Sequence, residues 1–529
     1  MEGHVERDDP DELLDPYADP AGVAFAPLGN EAGSDLNWIA LLRSRVENRT
    51  TASPRLRWWV LASLLAGLLA LNFTFTVFVV ALPSVARQLR TSVGVLTWTM
   101  VGPLLAYGLA APLLGKLGDV VGHRRLYLWG LATALVTAAL TVVAPNAGLL
   151  LAARTLDGVQ GAATGTASSA LINMLFAPEE RVTAMGWWSL IGAGGPVIGV
   201  SLGAPIIAVL GWRALFVVQF GLILVALAVV AILLPRGTGR PALAGRVRDG
   251  LRGVDWIGSS ALSLAVTALM LGLSLGPVIG WVTPGTIGCG VGALASGALF
   301  VRRLRRARHP LIPPHYFRRR NFVMPMVLRA CANFAYFGGF FLFPLVMEQG
   351  YGYSVSRVGA LSIARPLTFA LVSPIAGYVA ARVGERRSAI AGAAALVGSL
   401  ALFAALRPST GAAVVALALG LSGFGMGVAM PATSAVMANE VAEHEFGVMS
   451  AAQMLAMQVG EVAGIQVLET VRQGLERARH LGPHSPAADL LGTFRIPFVV
   501  GGLVALVGFG ASLYVTSVPR TSGAIRRAR

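Results

Sequence analysis

Residues Gly115-Lys116-Leu117-Gly118-Asp119-Val120-Val121-Gly122-His123-Arg124-Arg125 form a short polar loop between two apolar stretches. A weaker copy, Gly377-Tyr378-Val379-Ala380-Ala381-Arg382-Val383-Gly384-Glu385-Arg386-Arg387, stands 262 residues later, again between apolar stretches. The glycines let helix ends approach closely, Asp119 suits a helix N-terminus, and the arginines suit anionic headgroups. One such loop is weak evidence. Two copies at matching places in two hydrophobic halves indicate an internal repeat of the kind from which membrane carriers are built.

Composition agrees. The 529 residues are 55% hydrophobic and only 13% charged, against about 25% charged in ordinary globular domains. The mean hydropathy is +0.68. Apolar runs of about 20 residues recur, so the fold class is an all-α polytopic membrane protein in contact with a lipid bilayer. The net charge of +16 is not a nucleic-acid footprint, because the arginines cluster in short loops between apolar helices, as the positive-inside rule requires. Cys289 and Cys331 both lie in apolar stretches, which excludes a disulfide framework and a CxxC metal site. No P-loop is present, so ATP-driven transport by this chain is not expected, and no cofactor or metal is implied.

Residues 1–56 read as an acidic disordered tail without a signal peptide, with an interfacial or linker helix at 35–47 formed by Trp38, Ile39, Leu42 and Val46. The spans fall at roughly 57–82, 94–114, 124–144, 147–175, 182–209, 213–234, 255–276, 284–301, 322–347, 357–381, 388–406, 411–437, 447–471 and 494–517. The repeat register makes 57–234 an N-terminal six-helix half and 322–517 a C-terminal one. Residues 235–321 hold two additional spans with basic linkers, and 518–529 form a basic tail. Arginines at 124 and 125, from 236 to 252, from 302 to 320 and from 382 to 387 outnumber those in the alternate loops. That bias puts both termini in the cytoplasm.

This organisation resembles the major facilitator superfamily, and in particular its fourteen-helix drug:proton antiporter family, over about residues 58–517. The repeated loop is similar to that family's signature between the second and third helices of each half. It departs at Val120, where a basic residue is usual, and at Ala381, where an aspartate is usual. Ala81-Leu82-Pro83, Gly211-Trp212-Arg213, Asp255-Trp256-Ile257-Gly258 and His309-Pro310-Leu311-Ile312 also match. The resemblance implies a bacterial inner-membrane secondary transporter, acting as a monomer, that exchanges a small lipophilic molecule for protons. The alternatives from the residues are an uncoupled facilitator or uptake porter, and a lipid-acting membrane enzyme. The absence of a buried His/Asp/Ser constellation argues against the enzyme.

The candidate site residues follow. Gly195, Pro196 and Gly199 resemble the family's antiporter motif, and with Gly115, Asp119, Gly122 and Arg124 form the conformational set; their bland alternative is a plain packing face. Arg154 and Asp157 share a helix face inside an apolar segment. They read as a self-neutralised pair or as an arginine tuning a protonatable carboxylate. Asp157 stands where the family has glutamine. Glu461, where the family has a small residue, is a second proton-coupling candidate or else a partner for Arg329 or Arg365. Asn72, Gln160, Asn333, Arg329, Arg365 and Gln458 are substrate-cavity candidates. The family commonly has an acidic residue at the position of Asn72, so its absence argues against polycationic drugs and for neutral, lipophilic or anionic substrates.

Overall fold

The computed structural model describes residues 54–91, 93–234, 255–307, 310, 312–480 and 486–517, and these fold into α-helices joined by short turns. The interfacial helix at 35–47, the arginines from 236 to 252 and the tail from 518 to 529 lie outside the described residues. In chain order the helices are α1 (Pro54–Asn72), α2 (Phe75–Gln88), α3 (Val93–Val121), α4 (His123–Val143), α5 (Ala147–Leu175), α6 (Pro178–Leu210), α7 (Trp212–Leu233), α8 (Trp256–Ile279) and α9 (Pro284–Arg306). They continue with α10 (Arg320–Leu345), α11 (Val355–Ser362), α12 (Ala364–Val383), α13 (Glu385–Ala404), α14 (Ala412–Ala438), α15 (Phe446–Ala478) and α16 (Ala487–Tyr514). Among the described residues, 11 helical stretches are long and apolar enough to cross a membrane, α11 and α12 counting as one. The other three expected spans coincide with α1/α2, α5 and α6. In α5 the charged pair and a run of Gly, Thr and Ser lower the hydropathy.

Helices α1–α5 and α7 pack mainly within one group and α10–α16 mainly within another, while α6 packs on its own group and most heavily on α12 and α14 of the second. Because lipid tails are as apolar as leucine, these contacts depend on close approach at small residues rather than on hydrophobic drive. A Cβ on Gly392 of α13 would come within 2.7 Å of the Gly425 carbonyl oxygen of α14, and one on Gly158 of α5 within 2.0 Å of the Pro103 carbonyl of α3. The outer surface carries the large apolar side chains, as a lipid-facing surface does.

Helix α8 contacts both groups, through α3 and α15, whereas α9 packs on α8 and turns Ile287, Val291, Leu294 and Leu299 outward. The Asp255 carboxylate caps α8 by accepting from the Gly258 amide at 2.9 Å, and it binds Arg303 of α9 at 2.9 Å. That ion pair fastens the start of one additional helix to the end of the other.

The first expected span, 57–82, is interrupted. The Asn72 amide donates to the Leu68 carbonyl at 2.8 Å and competes with the helical ladder, so α1 ends there and α2 begins at Phe75. The last helix, α16, begins at Ala487 rather than near 494, because Asp489 and Leu490 already bond back to the Pro486 carbonyl.

The packing predicts opposite outcomes for two glycine substitutions. Gly392→Val should destabilise the protein by about 1–3 kcal/mol through overpacking. Gly288→Ala, with nothing near its Cβ on α9, should be neutral or stabilising by up to about 1 kcal/mol. Thermal unfolding in detergent checks both; an unchanged midpoint for Gly392→Val would contradict the close approach of α13 and α14.

Candidate functional site

The repeated loop closes one end of the bundle. Gly122 and Gly384, at φ 99° and 107°, make the tight turns that a side chain would strain. Asp119 reaches across to the C-terminal group. Its carboxylate accepts from the Gly447 amide at 2.8 Å and the Val448 amide at 3.2 Å, in the first turn of α15. Those amides have no partner within their own helix, and they carry the positive end of its dipole. Glu445, just before α15, does not cap it; it accepts instead from the Tyr316 hydroxyl at 2.5 Å. Asp119 therefore caps α15 from the other helical group, while His123 Nε2 braces the same carboxylate at 3.1 Å. A Cβ on Gly115 would lie 2.6 Å from the Gly447 carbonyl oxygen, so only glycine permits this approach.

The second copy of the loop makes the mirror contact. Gly377 of α12 abuts the Val182 carbonyl of α6, and the Thr183 hydroxyl donates to the Gly377 carbonyl at 3.3 Å. Ala381 offers no carboxylate, and the polar tie here is Arg181. Its guanidinium bonds the Asn173 carbonyl at 2.9 Å and Asn439 Oδ1 at 2.7 Å, and lies 5.1 Å from the Phe446 ring centroid. The cross-group contacts continue inward from 115/447 to Ala110, Ala111 and Leu455, and from 182/377 to Gly194 and Ala370. Beyond those points α6 turns to its own group: a Cβ on Gly195 would sit 3.0 Å from Asn72 Cβ, and one on Gly199 2.0 Å from the Phe73 carbonyl oxygen. The side chain of Pro196 lies outside the described set. Gly195 and Gly199 thus seat α6 on the break between α1 and α2.

The buried charges fall into separate environments. Arg154 and Asp157 bond at 2.5 Å, Thr137 of α4 donates to the second carboxylate oxygen, and the guanidinium lies 5.5 Å from Phe78 and 5.6 Å from Phe216. This cluster lies within the N-terminal group. In the C-terminal group Arg329 donates to Ser434 at 2.8 Å and Gln453 at 3.1 Å. Arg365 donates to the Tyr336 carbonyl and stacks 3.7 Å from the Tyr336 ring centroid. Neither arginine pairs with Glu461. The pairing of Glu461 with Arg329 or Arg365, one of its two readings from sequence, is therefore not realised; both arginines are occupied by neutral groups on other helices. Asn333 bonds the Arg329 carbonyl at 2.8 Å, while Gln160, Asn333 and Gln458 each keep a buried side-chain oxygen without a partner. Asp157 and Glu461 are not brought together.

Arg124 differs from expectation. It does not extend to headgroups but bonds the Leu234 and Ala231 carbonyls at 2.9 and 3.1 Å, capping the end of α7. His123, Thr137 and Arg181 were not singled out from sequence. His123, only 3% exposed, sits four residues from Asp119, a helical spacing that does flag it; Thr137 and Arg181 carry no such signal.

The Major Facilitator Superfamily model matches residues 63–465. The chain belongs to the Major Facilitator Superfamily. It is 32% identical over 468 residues to the puromycin resistance protein pur8 of Streptomyces alboniger, covering 85% of this chain and 90% of that protein. It is 28% identical over 413 residues to the tetracenomycin C resistance and export protein of Streptomyces glaucescens, covering 78% and 75%. Its fold matches that of the human organic anion transporter MFSD10 with a TM-score of 0.61 at 18% identity, covering 86% of this chain and 100% of that one. This facilitator is therefore a multi-pass protein of the plasma membrane that handles small molecules.

The Asp119 cap predicts how the closed end responds to mutation. Loss of such a cap costs about 0.5–2 kcal/mol, a factor of roughly 2 to 30. In a background with Cys289 and Cys331 replaced by alanine, a Ser373→Cys probe in the α6–α12 contact should react with a water-soluble maleimide faster by about that factor when Asp119→Ala is added. Equal labelling rates would show that Asp119 does not hold this end shut.

Proposed function

We propose that this chain exports a lipophilic small molecule, such as a drug or antibiotic, across the plasma membrane by proton antiport with alternating access. The observation that carries this reading is the closed end. Its cross-group ties are helix packing of α6 on α12 and α14 and of α3 and α5 on α15, with a few hydrogen bonds, and the two groups each keep their own internal packing when those ties part. Residues 57–234 and 322–517 act as the two rocking halves, and 235–321 supplies the additional helices. The closed end faces the cytoplasm together with both termini, and the protein works as a monomer. The relatives named for puromycin resistance and for tetracenomycin C resistance and export support efflux.

Protons would be carried by an intramembrane carboxylate. Glu461 is the better carrier, because no described side chain bonds it, whereas Asp157 is held by Arg154 and Thr137. Asp157, held by Arg154 and Thr137, is the structural or gating group. In reconstituted vesicles, Glu461→Gln should keep substrate counterflow yet lose pH-driven accumulation by tenfold or more. Asp157→Asn should depress both. If both variants still accumulate substrate under a gradient of pH alone, neither carboxylate couples protons. Equal uptake by wild type with and without a proton ionophore would favour an uncoupled facilitator.

Orientation has its own test. A reporter active only outside the cytoplasm, fused after Arg529, should be silent; strong activity would reverse the assignment of the closed end.

A further inference from the structure

We propose that Arg329 is an anion-binding subsite and that the exported molecules are lipophilic anions such as amphiphilic carboxylates, phenolates or sulfonates. This rests on the export reading above and narrows it to a substrate class.

The inference begins with a contrast among the buried arginines. A guanidinium stays charged, and an unpaired charge away from water costs several kcal/mol. Several of the described arginines meet that cost with a carboxylate. Arg154 has Asp157, Arg303 has Asp255, and Arg472 has Glu469 and Glu476. Arg181, held by neutral oxygens, has four of them and the Phe446 ring beside it. Arg329 is 1% exposed and has no carboxylate. Its hydrogen-bond acceptors, Ser434 and Gln453, are neutral, and its Nε has no partner. Arg365 also lacks a carboxylate, but the rings of Tyr336, Phe340 and Phe343 surround its guanidinium. No described ring lies over Arg329. Arg365 leaves Nε and Nη1 without partners, but among the described buried arginines Arg329 alone has neither a carboxylate nor an aromatic ring beside its guanidinium.

Its place is the seam between the two helical groups. The phenol of Tyr107, on α3 of the other group, lies within electrostatic reach of Arg329, and Gln453, which Arg329 bonds, is on α15, the helix that packs on α3. Tyr107 packs with Ala110, Ala111 and Leu455, and Leu455 lies two residues from Gln453. Arg329 is the tenth residue of α10 counted from the closed end, about 14 Å deep at 1.5 Å per residue. When that end opens, α3 withdraws from α15 and the free edge of the guanidinium is uncovered. An anion entering there supplies the missing counter-charge through a charge-assisted hydrogen bond. Closure returns Tyr107 to the seam, and the anion leaves toward the other side.

For a cation the one described carboxylate left unbonded near this seam is Glu461, beside the Gly460–Ala330 contact, and the export reading above assigns it to the proton. Asp157 is already bound to Arg154 and Thr137, and α1 offers Asn72 in place of a carboxylate.

The test uses two probes that share a ring system, 8-anilino-1-naphthalenesulfonate and the neutral N-phenyl-1-naphthylamine, with ethidium as the cation. Purified wild-type protein in nanodiscs should bind the sulfonate at least tenfold more tightly than the amine. Arg329→Gln should shrink that ratio tenfold or more, and Arg329→Lys should restore most of it. Equal wild-type affinities, or an unchanged ratio in Arg329→Gln, would overturn the proposal. If Arg329→Gln does not fold, the wild-type ratio decides. Vesicles that export ethidium or the amine but not the sulfonate would leave export standing and refute the anion subsite. Export of none of the three would overturn both.

Discussion

The Asp119 carboxylate joins two helices whose bonded residues, Asp119 and Gly447, are 328 apart in sequence. Few interactions are better suited to a reversible closure. The amides of the first turn of α15 are unsatisfied donors at the positive end of a helix dipole, and a carboxylate satisfies two at once. Such charged hydrogen bonds contribute about 1.5–3 kcal/mol each, net of the bonds that water makes to the same groups when they part. When the end opens, water can replace the carboxylate at the amides. The closed arrangement is thus favoured by a margin small enough for a bound ligand to reverse.

The glycines make that bond possible. Gly115 lets α3 approach the Gly447 carbonyl, and Gly377 lets α12 approach α6 in the mirror position. The two ties differ chemically where the sequence repeat is imperfect. Asp119 has no counterpart at Ala381, and Arg181 supplies the polar link on that side by bonding carbonyls and Asn439. A duplicated backbone thus carries two unlike fastenings. One depends on a carboxylate braced by a buried histidine; the other depends on an arginine that neutral acceptors hold.

The helix order, the repeat register and the intramembrane charges were legible in the sequence because each rests on local spacing. Arg154 and Asp157, three apart in an apolar segment, declare themselves. Thr137 does not, since its bond to Asp157 crosses from a different helix and threonine is common in such helices. The partners of Arg329 and Arg365 were illegible for the same reason. Any of several polar groups at similar depth satisfied the pattern, and only packing chooses among them. Arg124 misled because an arginine beside a loop looks solvent-facing, whereas here the last carbonyls of α7 lie within its reach. The interruption after Asn72 follows from a side-chain bond that competes with the ladder, which a purely apolar pattern does not register.

Helix α15 connects these features mechanically. Its first turn receives Asp119, Gln453 holds Arg329, Glu461 lies further along, and Arg472 closes the sequence with Glu469 and Glu476. It runs 33 residues without a proline, about 50 Å at 1.5 Å per residue. By contrast α3, α10, α12, α14 and α16 each carry an internal proline, which removes a ladder bond and permits bending. A helix without a proline hinge, among neighbours that have one, is suited to move as one body. In the proposed alternating access, releasing its first turn from Asp119 would also shift Gln453 and Glu461, so the state of the closed end, the surroundings of Arg329 and the environment of Glu461 would change together. Close packing on α10, through Gly460 at the Ala330 carbonyl and Gly464 at the Phe334 carbonyl, passes that movement to the helix that carries Arg329 itself.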